Sequence, residues 1–185
     1  MNVSHRAVRL TAQIALLLAL LSTAAFLLLR TYLGDEERIY NEGAITEVVT
    51  GGPVTIGNVE WKLEALQPWT QLVDAEKKPI SMDQPAGSVV VVARIAITPR
   101  DGLKMNSNGF SCEARLRDDR GNVWKGQSAY GFALPTYCGD EDHPFTRNKP
   151  GEVAQIFVIP QSAVAHISGI QVENLEERRR VLITR

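Results

Sequence analysis

The residue types best suited to chemistry lie together in one short run, Gly139-Asp140-Glu141-Asp142-His143. Three carboxylates and an imidazole could hold a hard cation such as Ca²⁺ through oxygen ligands. The run lacks the alternating ligand spacing of a calcium loop, and side chains that follow one another directly do not all point inward. We therefore expect a solvated acidic loop rather than a metal site, and we predict no cofactor.

Nucleophilic catalysis would require a hydroxyl or thiol group beside a base. Beyond position 30 the chain has only two histidines, His143 and His166, and it has no Gly-x-Ser-x-Gly motif. Asp118 and Asp119 could be considered as paired carboxylates, but neighbours in a turn-forming run do not face each other across a substrate. The sequence therefore predicts a protein that is not an enzyme.

Residues 126–138 are the strongest candidate for a binding surface. Tyr130, Phe132 and Leu134 alternate with other residues there, which favours a further strand. The alternative is an aromatic loop held by a disulfide, because binding residues often lie on loops that a rigid scaffold positions. Together with the acidic run, the candidate binding loop comprises Tyr130, Phe132, Tyr137, Asp140, Glu141, Asp142 and His143.

Cys112 and Cys138 are the only cysteines of the chain. Outside the cytoplasm this even and sparse number favours one structural disulfide, whereas in the cytosol two buried thiols would be expected. A zinc site is disfavoured because the chain has neither a Cys-x-x-Cys pair nor paired histidines. We predict a disulfide that closes a loop of about 26 residues and contributes about 3–4 kcal/mol to stability.

The elements that must position these residues begin with an apolar N-terminal segment. Leu10–Leu29 contains 20 residues without a charge, enough for a helix of about 30 Å that spans a bilayer. Arg6 and Arg9 precede it, which predicts a cytoplasmic N-terminus (residues 1–9) and a domain outside the cell membrane. The alternative is a secreted protein with a signal peptide cleaved near Ser22-Thr23-Ala24-Ala25, but the apolar run continues to Leu29.

The remaining chain divides into a charged, weakly patterned stalk (30–52) and an extracytoplasmic domain (53–185). Period-two alternation and runs of β-branched residues predict strands at 59–65, 88–98, 110–117, 123–124, 152–159, 169–173 and 180–184. Val59, Trp61, Leu63 and Ala65 should share one face, and residues 161–167 should form a helical turn or a crossover. About seven short strands without an amphipathic helix predict an all-β fold, an antiparallel β-sandwich.

Five short segments carry a resemblance to a known family: Val59-Glu60-Trp61, Gly87-Ser88-Val89-Val90-Val91-Val92, Leu116-Arg117-Asp118-Asp119-Arg120-Gly121, Lys149-Pro150-Gly151-Glu152 and Val158-Ile159-Pro160. With these segments the domain resembles a family of bacterial Ig-like domains of unknown function, which are similar in fold to a small immunogenic antigen secreted by mycobacteria. The resemblance covers residues 53–184 and implies an Ig-like sandwich on the cell surface, without catalytic residues to transfer. Cys112 and Cys138 are too close in sequence for the usual bridge between Ig sheets.

The charge balance limits the range of partners. Without Arg6, Arg9 and Arg30, 17 of the 20 basic residues remain against 21 acidic ones, so the external part is mildly acidic and does not favour nucleic acid. We therefore predict a membrane-anchored, non-enzymatic module that binds or positions another cell-envelope protein. The alternative is a surface receptor domain for a small ligand or a metal ion.

Overall fold

A computed structural model of the chain describes residues 3–33, 40–102, 110–138 and 145–185. It divides the chain into two compact units, residues Met1–Gly43 and Ala44–Arg185. The second unit begins inside the segment 30–52 that the sequence predicts as a stalk. The acidic run of the candidate binding loop (Asp140, Glu141, Asp142 and His143) lies outside the described residues.

The first unit contains one long α-helix, α1 (Val3–Leu33). Within it, Val8–Tyr32 is long and apolar enough to cross a membrane, and none of its side chains is buried in the protein. Polar side chains inside the helix bond back to its own backbone: the hydroxyls of Ser22 and Thr23 both donate to the carbonyl of Ala19. The helix therefore exposes an apolar surface along its length, as the sequence predicts for Leu10–Leu29.

The described residues of the second unit form a β-sandwich of nine strands in two sheets. A five-stranded sheet has the order β1-β9-β8-β5-β6, and a four-stranded sheet has the order β2-β3-β4-β7. The predicted all-β sandwich is confirmed. The strands are β1 (Glu47–Thr50), β2 (Val54–Ile56), β3 (Val59–Trp69), β4 (Ser88–Pro99), β5 (Arg115–Asp118), β6 (Val123–Lys125), β7 (Gly151–Pro160), β8 (Ile167–Asn174) and β9 (Arg179–Thr184).

The strand order is that of an immunoglobulin sandwich, in which strands A, B and E share one sheet and strands C, F and G form the other. Strands β3, β4 and β7 take the first set of positions, and β5, β8 and β9 take the second. Among the strands that the structure describes, β1 and β9 run parallel and the other pairs are antiparallel. The pair of β1 and β9 departs from the predicted antiparallel arrangement. Strand β1 joins the edge of the five-stranded sheet beside β9, and the chain then crosses to the four-stranded sheet, where β2 begins.

One predicted strand differs from the structure, and two observed strands were not predicted. The alternation of residues 110–117 predicts one strand, but only β5 at its end pairs with neighbours, while residues 110–114 run without ladder partners. Strands β1 and β2 were not predicted, because stretches of four and three residues show too little alternation to be recognised. Strands β5 and β6 form a hairpin, and the helical turn expected at 161–167 is present as a 3-10 helix at Gln161–His166.

The long strands β4 and β7 are apolar on both faces because both faces of their sheet are covered. On the inner face, Val91, Ile95, Phe157 and Ile159 belong to the main core between the sheets. On the outer face, side chains from the β3–β4 and β6–β7 loops complete a second apolar group, here called the outer cluster. Its buried members are Leu72, Val90, Val92, Ala129, Ala154 and Ile156.

A β-bulge in β3 changes which side chains face the core. The register shifts between Leu63 and Ala65, so that Ala65 pairs with Arg94, whose side chain is exposed on the outer face. The prediction that Ala65 shares a face with Trp61 is therefore wrong, because the extra residue of a bulge reverses the alternation beyond it. Trp69, also beyond the bulge, pairs with Val90 and is 43% exposed on the outer side.

The β5–β6 turn is organised by one buried carboxylate. Asp118 accepts hydrogen bonds from the backbone N–H groups of Arg120 (3.0 Å) and Asn122 (2.7 Å) and from the Asn122 side chain (2.7 Å). Burial raises the pKa of Asp118, but these hydrogen bonds outweigh it and hold the pKa below its ordinary value of 3.8. The turn is therefore stabilised by the ionised carboxylate above that value, and this contribution is lost in stronger acid.

Candidate functional site

The segment 126–138 is a loop and not a strand. One isolated bridge joins Gln127 to Ile156 at the edge of β7, and the Ala154 N–H donates to the carbonyl of Pro135 (2.8 Å). Between these two attachments the chain turns, with the Phe132 N–H donating to the carbonyl of Ala129. The favoured strand interpretation of the alternating Tyr130, Phe132 and Leu134 is therefore wrong, and the alternative of a held loop describes the structure.

The loop ends at the predicted disulfide. Cys112 and Cys138 are bonded, with 5.7 Å between their Cα atoms and 26 positions between them in sequence. Both cysteines belong to the main core. The bridge therefore fixes the end of the loop to residues 110–114, which have no ladder partners of their own.

The three described aromatic residues of the predicted binding loop lie in three environments. Tyr130 is fully exposed (101%), Phe132 packs against the outer cluster, and Tyr137 is 55% exposed beside the disulfide. The structure therefore does not gather them into one aromatic site. The exposed side chains of Tyr130 and Tyr137 lie on two different surfaces of the domain.

Tyr137 lies on the wall of a groove of about 380 Å³ that has both polar and apolar lining residues. The groove is bounded by the two disulfide-linked segments and by the start of the β6–β7 loop, and its volume lies within the usual range for small-molecule sites. We call it the disulfide groove. It is lined by Phe110, Ser111, Cys112, Glu113, Ala114, Arg115, Lys125, Gly126, Gln127, Ser128, Thr136, Tyr137, Cys138 and Gln155.

Gln155 is a polar residue in a row of core positions. Val153, Phe157 and Ile159 occupy the same face of β7 and are buried in the main core, whereas Gln155, only 8% exposed, lines the disulfide groove. Its Nε2 donates to the carbonyl of Thr136 (3.3 Å). Its Oε1 lies so close to Gly126 that a Cβ atom there would be 2.6 Å away, so any larger residue at position 126 would make the Gln155 side chain shift.

Two cations stand next to each other at the groove. Arg115 and Lys125 are direct cross-strand partners in β5 and β6 and both line the groove. Like charges placed opposite each other in a sheet are unfavourable unless something neutralises them. Glu173 lies 3.8 Å from Arg115 but 2.8 Å from Arg180, so its carboxylate is shared between two guanidinium groups.

A second groove of about 350 Å³ adjoins the first and shares Ser111, Glu113 and Arg115 with it. Trp61 is buried in the main core and also contributes to the wall of this second groove. Within the described part of the chain, its indole N–H has no hydrogen-bond partner. An unsatisfied buried donor costs about 1–3 kcal/mol, so an acceptor that entered here would be stabilising.

Among the described residues, the other candidate groups do not form a catalytic arrangement. His166 lies at the surface with its Nδ1 3.2 Å from Asp119 Oδ2 and its Nε2 in contact with Arg120. These contacts join the β5–β6 turn to the 3-10 helix. In the described ranges no three His, Cys, Asp or Glu side chains are grouped so that they could hold a metal ion.

No protein-family model matches the sequence, and no curated protein matches it. Two solved structures are similar. A conserved hypothetical protein from Bacillus anthracis has a TM-score of 0.43 at 8% identity, covering 68% of this chain and 87% of that one. An uncharacterised beta-sandwich protein from Clostridium difficile 630 has a TM-score of 0.46 at 12% identity, covering 76% of this chain and 93% of that one. The fold assignment depends on the strand pairing described above, and the resemblance to the bacterial Ig-like family stays a prediction.

Proposed function

We propose that the chain is a single-pass membrane protein with a cytoplasmic N-terminus and an extracytoplasmic β-sandwich. Two independent features support this. The first is the long apolar helix α1 with Arg6 and Arg9 before its apolar part, since basic residues near a first span keep that end in the cytoplasm. The second is the disulfide, which is typical of proteins that fold in an oxidising compartment.

The topology predicts which end of the chain an external protease can reach. With an epitope tag at each end, protease added to intact cells should remove the C-terminal tag and leave the N-terminal tag on a membrane-bound fragment. Protease added after lysis is the control and should remove both tags. A C-terminal tag that survives on intact cells but not in lysates would contradict the topology. A C-terminal tag found in the medium without the N-terminal one would favour the cleaved, secreted alternative.

The role that we propose for the external domain is non-enzymatic binding of another cell-envelope protein. The observation that carries this proposal is the fully exposed Tyr130 on a loop whose backbone is bonded to β7 on both sides. Tyrosine is enriched at the centres of protein interfaces because its ring buries a large area and its hydroxyl can still form a hydrogen bond. A loop that is already ordered also loses less conformational entropy on binding.

A second ordered loop lies beside Tyr130. A Cβ atom on Gly131 would lie 3.8 Å from the Cβ atom of Asp74 in the β3–β4 connection. There Asp74 closes a tight turn, accepting from the Lys78 N–H at Oδ1 (2.8 Å), and Val73 pairs with Pro79. Val73 is itself partly exposed. The two loops therefore provide a preformed surface with an aromatic and an aliphatic residue, here called the Tyr130 surface.

Photo-crosslinking in the host membrane tests this surface. A photoreactive phenylalanine analogue in place of Tyr130 should give a discrete cross-linked product with one envelope protein, because the side chain projects into solvent towards a partner. Val123 on β6 is the matched control, since it is also exposed but belongs to the other sheet. The Tyr130→Ser variant should lose that partner on co-purification without a change in unfolding. Equal products from both positions, or none from position 130, would count against the proposal.

A metal-ion receptor remains the alternative that the sequence raises through its acidic run. That run lies outside the described residues, so no geometry supports or opposes it here. If the run binds Ca²⁺ or Zn²⁺, adding the ion should raise the melting temperature by mass action.

A further inference from the structure

The disulfide groove has the composition of a binding site for a small polar anion. Among the described residues, its wall carries two cations, several hydroxyl groups and two amides, and one acidic residue, Glu113. Here a buried amide, that of Gln155, reaches the groove from a strand whose neighbouring inward positions are all apolar.

We propose that the disulfide groove binds a small organic anion that also carries hydroxyl groups, with its carboxylate or phosphate placed between Arg115 and Lys125. An anion at this position would neutralise the unfavourable cross-strand pair of cations. No ion pair or hydrogen bond occupies the Lys125 ammonium in the described part of the protein, while Arg115 has only the distant, shared carboxylate of Glu173. Both cations therefore have capacity for a further anionic partner.

The remaining polar groups match the hydroxyl groups of such a ligand. Glu113 and the carbonyl oxygen of Gln155 are acceptors, and the hydroxyls of Ser128 and Tyr137 both donate and accept. Gly126 matters because any larger residue would displace the Gln155 amide. The disulfide joins two of the segments that line the groove, and this restraint lowers the conformational entropy lost on binding.

Titration calorimetry on the full-length protein in detergent micelles tests the proposal with three probes. D-glucuronate and D-glucose 6-phosphate carry the two anionic groups on a similar ring, and D-glucose is the neutral control. At least one anionic probe should bind while D-glucose does not, and added NaCl should weaken the binding because exposed charges are screened. The anion that binds more tightly identifies carboxylate or phosphate as the preferred group.

Lys125→Gln should raise the Kd of the anionic probe roughly tenfold, which is typical for the loss of one charge-assisted hydrogen bond. Lys149→Gln is the matched control, because Lys149 is also exposed but does not line this groove, and it should leave the Kd unchanged. Lys125 lies at the surface of a short edge strand, so its replacement should not disturb the fold. Gly126→Ala should weaken binding by displacing Gln155, and an unchanged fluorescence unfolding curve would separate that effect from misfolding.

The proposal is overturned if neither anion binds at millimolar concentration, if D-glucose binds as well as the anions, or if Lys125→Gln leaves the Kd unchanged. The groove and the Tyr130 surface are separate, so these results are independent of the cross-linking experiment. A protein partner could be lost while the anion still binds, and the reverse also holds.

Discussion

Replacing both cysteines, Cys112→Ala together with Cys138→Ala, is expected to lower the free energy of unfolding of the β-sandwich by about 3–4 kcal/mol. The physical reason is the conformational entropy of the unfolded chain, which the bridge restricts by closing a loop of 26 positions. Alanine is preferred to serine because both sites are buried and a hydroxyl would need a new hydrogen-bond partner. Urea unfolding of the full-length protein followed by tryptophan fluorescence provides the measurement, since Trp61, Trp69 and Trp124 all belong to the sandwich.

A reducing agent separates the bridge from side effects of the substitutions. It should destabilise the wild-type protein by a similar amount and leave the double variant unchanged. If the urea midpoint of the wild-type protein does not move under reducing conditions, the bridge does not carry the stability assigned to it. Residues 110–114 and 136–138 have no ladder partners, so the hydrogen-exchange rate of their backbone amides should be the first to increase in the double variant.

The parts of the fold that could be predicted from the sequence are those with strong local signals. The uncharged run Leu10–Leu29 needs no tertiary information to be identified as a long apolar helix. The β-branched run of β4 and the Asp118–Asn122 turn also specify their structures locally, through side-chain shape and through a carboxylate that bonds the turn backbone. A single pair of cysteines allows only one intramolecular disulfide.

The errors came from elements whose structure depends on partners that are distant in sequence. Phe110 to Leu116 and Tyr130 to Leu134 both alternate, but only residues from Arg115 onward find a neighbouring strand in the first case, and none does in the second. The bulge after Leu63 moves the Ala65 side chain to the other face of the sheet. The alternation of apolar and polar residues in the sequence continues through this point and does not reveal the extra residue. Strand β1 exists because β9 offers it an edge.

The candidate site was only partly predictable for the same reason. Cys138 and Tyr137 were recognised by residue type, and they do line the disulfide groove. Arg115 and Lys125 carry no signal in sequence, because their pairing appears only when β5 and β6 are in register. Gln155 did offer a signal, as the one polar residue in the buried run of β7, and a search for polar residues at core positions would have found it.

The two faces of β7 should differ in how much of the domain's stability they carry. Phe157 is fully buried (0% exposed) between the two sheets. Phe157→Ala is expected to lower the free energy of unfolding by about 3–5 kcal/mol. The substitution leaves a cavity, and the side chains around it fill that cavity poorly because they belong to rigid sheets.

Two isoleucines of β7 provide a matched comparison of these faces. Ile159 belongs to the main core and Ile156 to the outer cluster, and both are almost completely buried. Either change to alanine removes the same atoms, with an effect of about 2–5 kcal/mol. The effect should be larger for Ile159, because sheets pack against it, whereas loops cover Ile156 and can move to fill part of the cavity. If urea unfolding shows that Ile156→Ala is as destabilising as Ile159→Ala, the loops that cover Ile156 do not move to fill the cavity. These loops would then be as rigid as the sheets, and they would hold the Tyr130 surface more firmly than the two backbone attachments to β7 alone.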